Sequence, residues 1–210
     1  GNPGHAGLFE FFRTLLGGSA GMAKETKQAI NKAYERGVII VCAAGQIIEA
    51  IVEPALFPRT IAVGGFDKRG GDIAHYPTEG YNLPQRIDIW AQAQRVNRAA
   101  YNLNASPPQE IYADEMDTGD PSGTSYACPQ VAASAALWVA THQATLETST
   151  FADTPWRKVE AFRNALKRTA THMPARLPFN KTTPIRMLEI ERLLGFAPEV
   201  PADSDKKPAS

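Results

Sequence analysis

A helical segment that runs without a break into a β-branched stretch constrains this chain more than any other feature. From residue 22 to residue 36, Ala23, Ala29, Ile30, Ala33 and Tyr34 recur at helical spacing. Lys24, Glu25, Lys27, Lys32 and Glu35 fall on the other face. Arg36-Gly37 places a cation in the last turn and a glycine after it, which stops a helix. Val38-Ile39-Ile40-Val41 follows at once, and such a run reads as a strand buried on both faces. A helix leading directly into a buried strand is half of a βαβ unit, so the expected class is α/β with a parallel sheet.

The same alternation continues more loosely. Arg59 to Gly64 reads as a second buried strand, and Arg86 to Ala91 as a third, nearer an edge because its apolar letters alternate with polar ones. Gln94 to Pro121 shows no period and is expected to be a long irregular loop, acidic through Asp114, Glu115, Asp117 and Asp120. Three helices are expected after it. The first is rich in small residues, from Ser125 to about Thr145. The second runs from Trp156 to Thr169, with Val159, Phe162 and Leu166 inward and a basic outer face, and the third from Ile185 to Leu194. Residues 1–196 are assigned to the folded domain and 197–210, made of Pro, Asp, Lys and Ser, to a disordered tail.

The chain's 210 residues, 43% apolar, suffice for one cored domain, and a formal charge of zero gives no reason to expect nucleic acid or an anionic membrane as a partner. No apolar stretch has the length of a membrane span. Cys42 and Cys128 read as buried small hydrophobes, not a disulfide framework, which leans towards a reducing compartment or a secreted fold that needs no staples.

The chemistry concentrates in Ser122-Gly123-Thr124-Ser125-Tyr126-Ala127-Cys128-Pro129-Gln130. A glycine turn there sets Ser125 at the first turn of a helix, where free backbone N–H groups and the helix dipole favour developing negative charge. The segment closely resembles the serine block of the subtilisin-like serine peptidases, matched at Gly123, Thr124, Ser125, Ala127 and Pro129. It departs at Gln130, where many members carry a packing histidine. Two further blocks occur in the family's order: Ala33 to Gln46, similar to its helix, buried strand and Ala-Ala-Gly-Asn turn, and Pro54 to Gly64. The resemblance therefore spans about residues 22–140. It implies a three-layer α/β fold, mostly parallel with helices on both faces and incomplete on its N-terminal side. It also implies peptide-bond hydrolysis through an acyl-enzyme on Ser125. In that reading Ala43, Ala44 and Gly45 line the substrate pocket, Gln46 donates to the oxyanion in place of asparagine, and Thr124 supports it. Glutamine adds a methylene, so its amide arrives displaced unless the backbone shifts.

The family's Asp and His blocks lie N-terminal to all of this, and nothing before Met22 resembles them. Asp117-Thr118-Gly119 has the letters of the Asp block without a preceding buried strand. His5, His75, His142 and His172 do not fit the base, His75 being the least excluded. The N-terminal residues allow two readings: Leu15 to Ser19 as the end of a cleft-lining strand, or Gly1 as that end followed by an inserted loop with a short helix at residues 8–12. The expected partners are a polypeptide substrate and an N-terminal half of the domain that carries the missing Asp and His, without which this chain is expected to be inactive. The alternative is a relative without catalysis that binds peptides. No cofactor is identifiable. The resemblance allows calcium, but the acidic loop reads as solvated.

Overall fold

The computed structural model describes residues 24–45, 51–69, 72–75, 86–94, 96–102, 106–107, 109–113, 123–176 and 182–209. The helix α1 is Lys24–Glu35, with Ile30 and Tyr34 buried one turn apart. It closes at Gly37, whose φ of 75° suits glycine; a Cβ there would meet the Pro155 carbonyl oxygen at 2.6 Å. The strand β1 then covers Val41–Ala43, later than the expected Val38–Val41, and Val38 is half exposed. Among the described residues β1 pairs with one neighbour, and of its residues Cys42 is buried while Val41 and Ala43 are partly buried.

That neighbour is β2, Ile61–Arg69, parallel to β1 with Val41 opposite Ile61. It also pairs antiparallel with β3, Asp72–His75, and parallel with β4, Ile89–Gln92. The antiparallel strands β7, Thr171–Arg176, and β8, Thr182–Met187, join β3 and β4 through parallel bridges. The sheet thus closes on itself through β2, β3, β7, β8 and β4, and β1 stands outside the ring. Strand alternation divides the core. Val41, Ile61, Val63, Ile89 and Ala91 face the helices, while Cys42, Ala62 and Trp90 face a second cluster with Ile51, Ala55, Ala175 and Ile185.

Helix α2 is Thr124–Thr141, followed by the short α3, Gln143–Leu146, and α4, Ser149–Ala152. In α2 Ala127, Val131, Ser134, Ala135 and Trp138 are buried, and the small residues bring it close to β1, β2 and β4. Helix α5, Trp156–Thr169, has the expected bounds and buries Val159, Phe162 and Leu166. Its charged side is less solvated than expected: Glu160 and Arg163 are buried. Arg163 pairs with Asp88 at 2.5 Å and Glu160 at 3.0 Å and donates to the Thr60 and Pro58 carbonyls. Asp88 also accepts from the Ala62 N–H. The polar letter that suggested an edge strand near residue 88 is therefore a paired buried carboxylate, and β4 lies inside the sheet between β2 and β8.

Three other expectations are corrected. The segment 94–121 contains an antiparallel pair, β5, Arg98–Asn102, with β6, Gln109–Ala113; its small and polar letters carry no apolar period. The expected helix from Ile185 is instead β8 followed by α6, Ile190–Leu194, because Ile185 and Met187 alternate into the second cluster before helical spacing begins. Residues 197–209 are ordered against the domain. The Arg59 Nε donates to the Lys207 carbonyl at 3.0 Å, and the Lys207 N–H donates to the Tyr34 hydroxyl at 3.0 Å. Lys206 pairs with Glu35 and Arg157 with Asp203. Charged letters that suggested disorder are used here as partners for α1 and α5. The residues of the two N-terminal readings lie outside the described residues.

Candidate active site

Parallel strands end together, and the crevice beyond their carboxyl ends is where α/β folds place ligands. Here α2 begins at that end. The Gly123 N–H donates to the Ala93 carbonyl at 2.9 Å, just past β4, and the Gln130 Nε2 donates to the Gln92 and Tyr126 carbonyls at 2.8 and 2.7 Å. Gln130 was legible as a departure from the family pattern, but its bond to the end of β4 was not. Pro129 sits inside α2 and so cannot return the usual bond to the Ser125 carbonyl.

The turn after β1 meets the start of α2 directly. The buried Thr124 hydroxyl donates to the Gly45 carbonyl at 3.0 Å and accepts from the Gly45 N–H at 3.1 Å. Gly45 has φ of 101°, and a Cβ there would meet the Val52 methyls at 2.9 Å, so only glycine fits the turn. The Ala44 N–H donates to the Val63 carbonyl, which fixes the turn to β2. Burial pushes the Cys128 thiol above the ordinary value. Burial also pushes the Cys42 thiol up to about 11, so neither cysteine is a thiolate at neutral pH.

The structure therefore brings Ser125 and Thr124 together with Ala43, Ala44 and Gly45. Ser125 is exposed, in the second position of α2, where its N–H has no acceptor one turn back within the helix and no acidic residue occupies the first turn. Gln46 lies outside the described residues, as do Asp114, Glu115, Asp117, Asp120 and His5. His142 follows the end of α2, about 25 Å along the helix from Ser125. Its Nε2 lies 3.0 Å from the Leu194 carbonyl and its ring packs on Trp138, so it holds α6. His172 is exposed on β7, and His75 ends β3. Among the described residues no cluster of His, Cys, Asp or Glu converges, so no calcium ligands can be assigned from them.

Comparisons with known proteins bear on the family and the fold of the chain. The sequence model of the subtilase family matches residues 15–196. Subtilisin BL of Lederbergia lenta is 31% identical over 157 residues, covering 74% of this chain and 47% of that protein. The major intracellular serine protease of Bacillus subtilis (strain 168) is 30% identical over 128 residues, covering 58% of this chain and 34% of that protein. The chain thus spans about a third to a half of the length of these curated relatives. Among solved structures, fervidolysin from Fervidobacterium pennivorans, a keratinolytic enzyme related to subtilisin, superposes with a TM-score of 0.57. Its identity is 20%, and the match covers 85% of this chain and 26% of that one. In sequence and in fold, this chain belongs to the subtilase family of serine peptidases.

Proposed function

We propose that this chain is the serine-bearing, C-terminal portion of a serine endopeptidase domain whose Asp and His come from an N-terminal portion. The observation that carries the reading is the pair of hydrogen bonds between Thr124 and Gly45, which sets Ser125 beside the 43–45 turn. In the reaction the Ser125 Oγ bonds to the scissile carbonyl carbon. Its proton passes to the partner histidine and then to the leaving amine as the C–N bond breaks. Water then attacks the resulting ester by the same route, freeing the acid and restoring the hydroxyl. The Ser125 N–H and the Gln46 amide receive the oxyanion, and Ala43 to Gly45 line the pocket for the residue before the cut.

The N-terminal portion would lie against β1, the strand outside the closed ring, and beside the exposed residues Ala132, Ala136 and Val139 of α2. A second reading, a peptide-binding relative without catalysis, is favoured by glutamine at position 46. A fluorophosphonate probe separates them. The complete protein is expected to label at Ser125, with Ser125→Ala abolishing the label and the present chain alone labelling poorly for want of a base. Label that survives Ser125→Ala would overturn the assignment, and a complete protein that never labels would establish the second reading.

A further inference from the structure

A hydroxyl has one proton to give. The Thr124 hydroxyl gives it to the Gly45 carbonyl, at 3.0 Å, and receives the Gly45 N–H at 3.1 Å. Held this way, Thr124 has no proton left for an oxyanion, so the supporting role that the family resemblance implies does not fit its geometry. We infer that Thr124 is a positioning residue: it locks the turn that receives substrate to the helix that carries the nucleophile. The inference rests on the peptidase reading of Ser125.

The two locked segments stand 79 residues apart in sequence, so no local geometry sets their spacing. Thr124 is fully buried, which removes water as a competitor for both bonds. Because Thr124 grips both the N–H and the C=O of Gly45, it fixes the peptide planes on either side of that residue. The positive φ of Gly45, and the Val52 methyls that any Cβ there would meet at 2.9 Å, leave the turn little other freedom. Neighbouring bonds hold the rest of the junction without Thr124: Gly123 to Ala93 and Gln130 to Gln92. Removing the hydroxyl should therefore loosen one turn and leave the helix in place.

The test compares Thr124→Val, which keeps the shape, with Thr124→Ser, which keeps the hydroxyl. Amide hydrogen exchange of Gly45 is read on this chain, and kcat and KM are read on the complete protein. The expected result in Thr124→Val is Gly45 exchange faster by about tenfold or more. Amides of β2 and of α2 beyond its first turn stay protected, and kcat falls by roughly tenfold or more, as misplaced reacting groups imply. Thr124→Ser should restore both. A fall in kcat with unchanged Gly45 exchange would overturn the inference in favour of direct donation to the oxyanion. Uniformly faster exchange throughout the chain, with kcat per folded molecule unchanged, would overturn it in favour of a purely structural role. Faster Gly45 exchange in a complete protein that shows no activity would leave the lock intact and refute the peptidase reading alone.

Discussion

At the corner where α1, α5 and residues 197–209 meet, the buried ionic groups Asp88, Glu160 and Arg163 are all paired, whereas along β1 and the outer side of α2 apolar side chains face solvent. Both regions are built on the same helix-covered core cluster, which takes in Tyr34, Val131, Trp138 and Phe162. At the closed corner Tyr34 donates to Glu160 at 3.0 Å, Arg59 lies over the Tyr34 ring at 4.7 Å, and Lys207 completes the Tyr34 hydroxyl. At the β1 edge Val38 and Val139 are 50 and 38% exposed, beside a strand with one pairing neighbour among the described residues. Local polar groups finish the first region, and an apolar edge of the second kind is stable only when something covers it. The proposed N-terminal portion would cover that edge.

The largest expected effect lies at the closed corner. Arg163→Ala removes the cation between Asp88 and Glu160 and leaves two buried carboxylates, a loss of about 3–5 kcal/mol of stability. Thermal unfolding of the two proteins measures it, and a change under about 1 kcal/mol would show that the corner is not what holds this side. The same network has an acid signature. Burial raises the Asp88 carboxyl, but Arg163 and Lys167 outweigh it and hold it below its ordinary 3.8. A folded value below the unfolded one gives stability that is complete above the unfolded pKa and lost as pH falls through the folded value. The wild-type chain should therefore lose stability below about pH 4, and Arg163→Ala should flatten that limb.

A smaller effect is expected from removing residues 197–210. That deletes the part-buried bonds of Lys207 with Arg59 and Tyr34, and with them the exposed pairs of Asp203 and Lys206. The part-buried bonds account for most of an expected loss of about 1–2 kcal/mol, since exposed pairs add little. Denaturant unfolding measures it. An unchanged midpoint would show that the segment lies on the corner without closing it.

These residues also show where the sequence was readable. The helix–glycine–strand unit, the bounds of α5 and the start of α2 followed from periodicity and stop signals, because those are local. The edge expected near Asp88 and the basic outer face expected of α5 miss the buried pairing of Asp88 with Arg163, because a charged letter looks the same whether water or a partner distant in the chain satisfies it. Residues 197–209 were misread for the same reason. At the candidate site the serine block was legible as a motif, while the grip of Thr124 on Gly45 was not, since it joins segments that meet only in the folded sheet. The β1 edge was half legible. Its apolar run was visible, but its exposure depends on strands outside the run.

In the proposed arrangement β1 would be an internal strand of a larger sheet, completed by an N-terminal portion. In a parallel ladder the amides of alternate residues turn to opposite edges. Ile40 and Ala44 bond to β2, so the N–H of Val41 turns to the opposite edge, where no strand pairs among the described residues. Its hydrogen exchange, measured on monodisperse chain alone and again with the N-terminal portion added, tests the claim most directly. The account predicts rapid exchange alone and a slowing of roughly a hundredfold or more on addition, as the new strand accepts that bond. A Val41 amide already protected in the monomeric chain, and unchanged by the N-terminal portion, would contradict it.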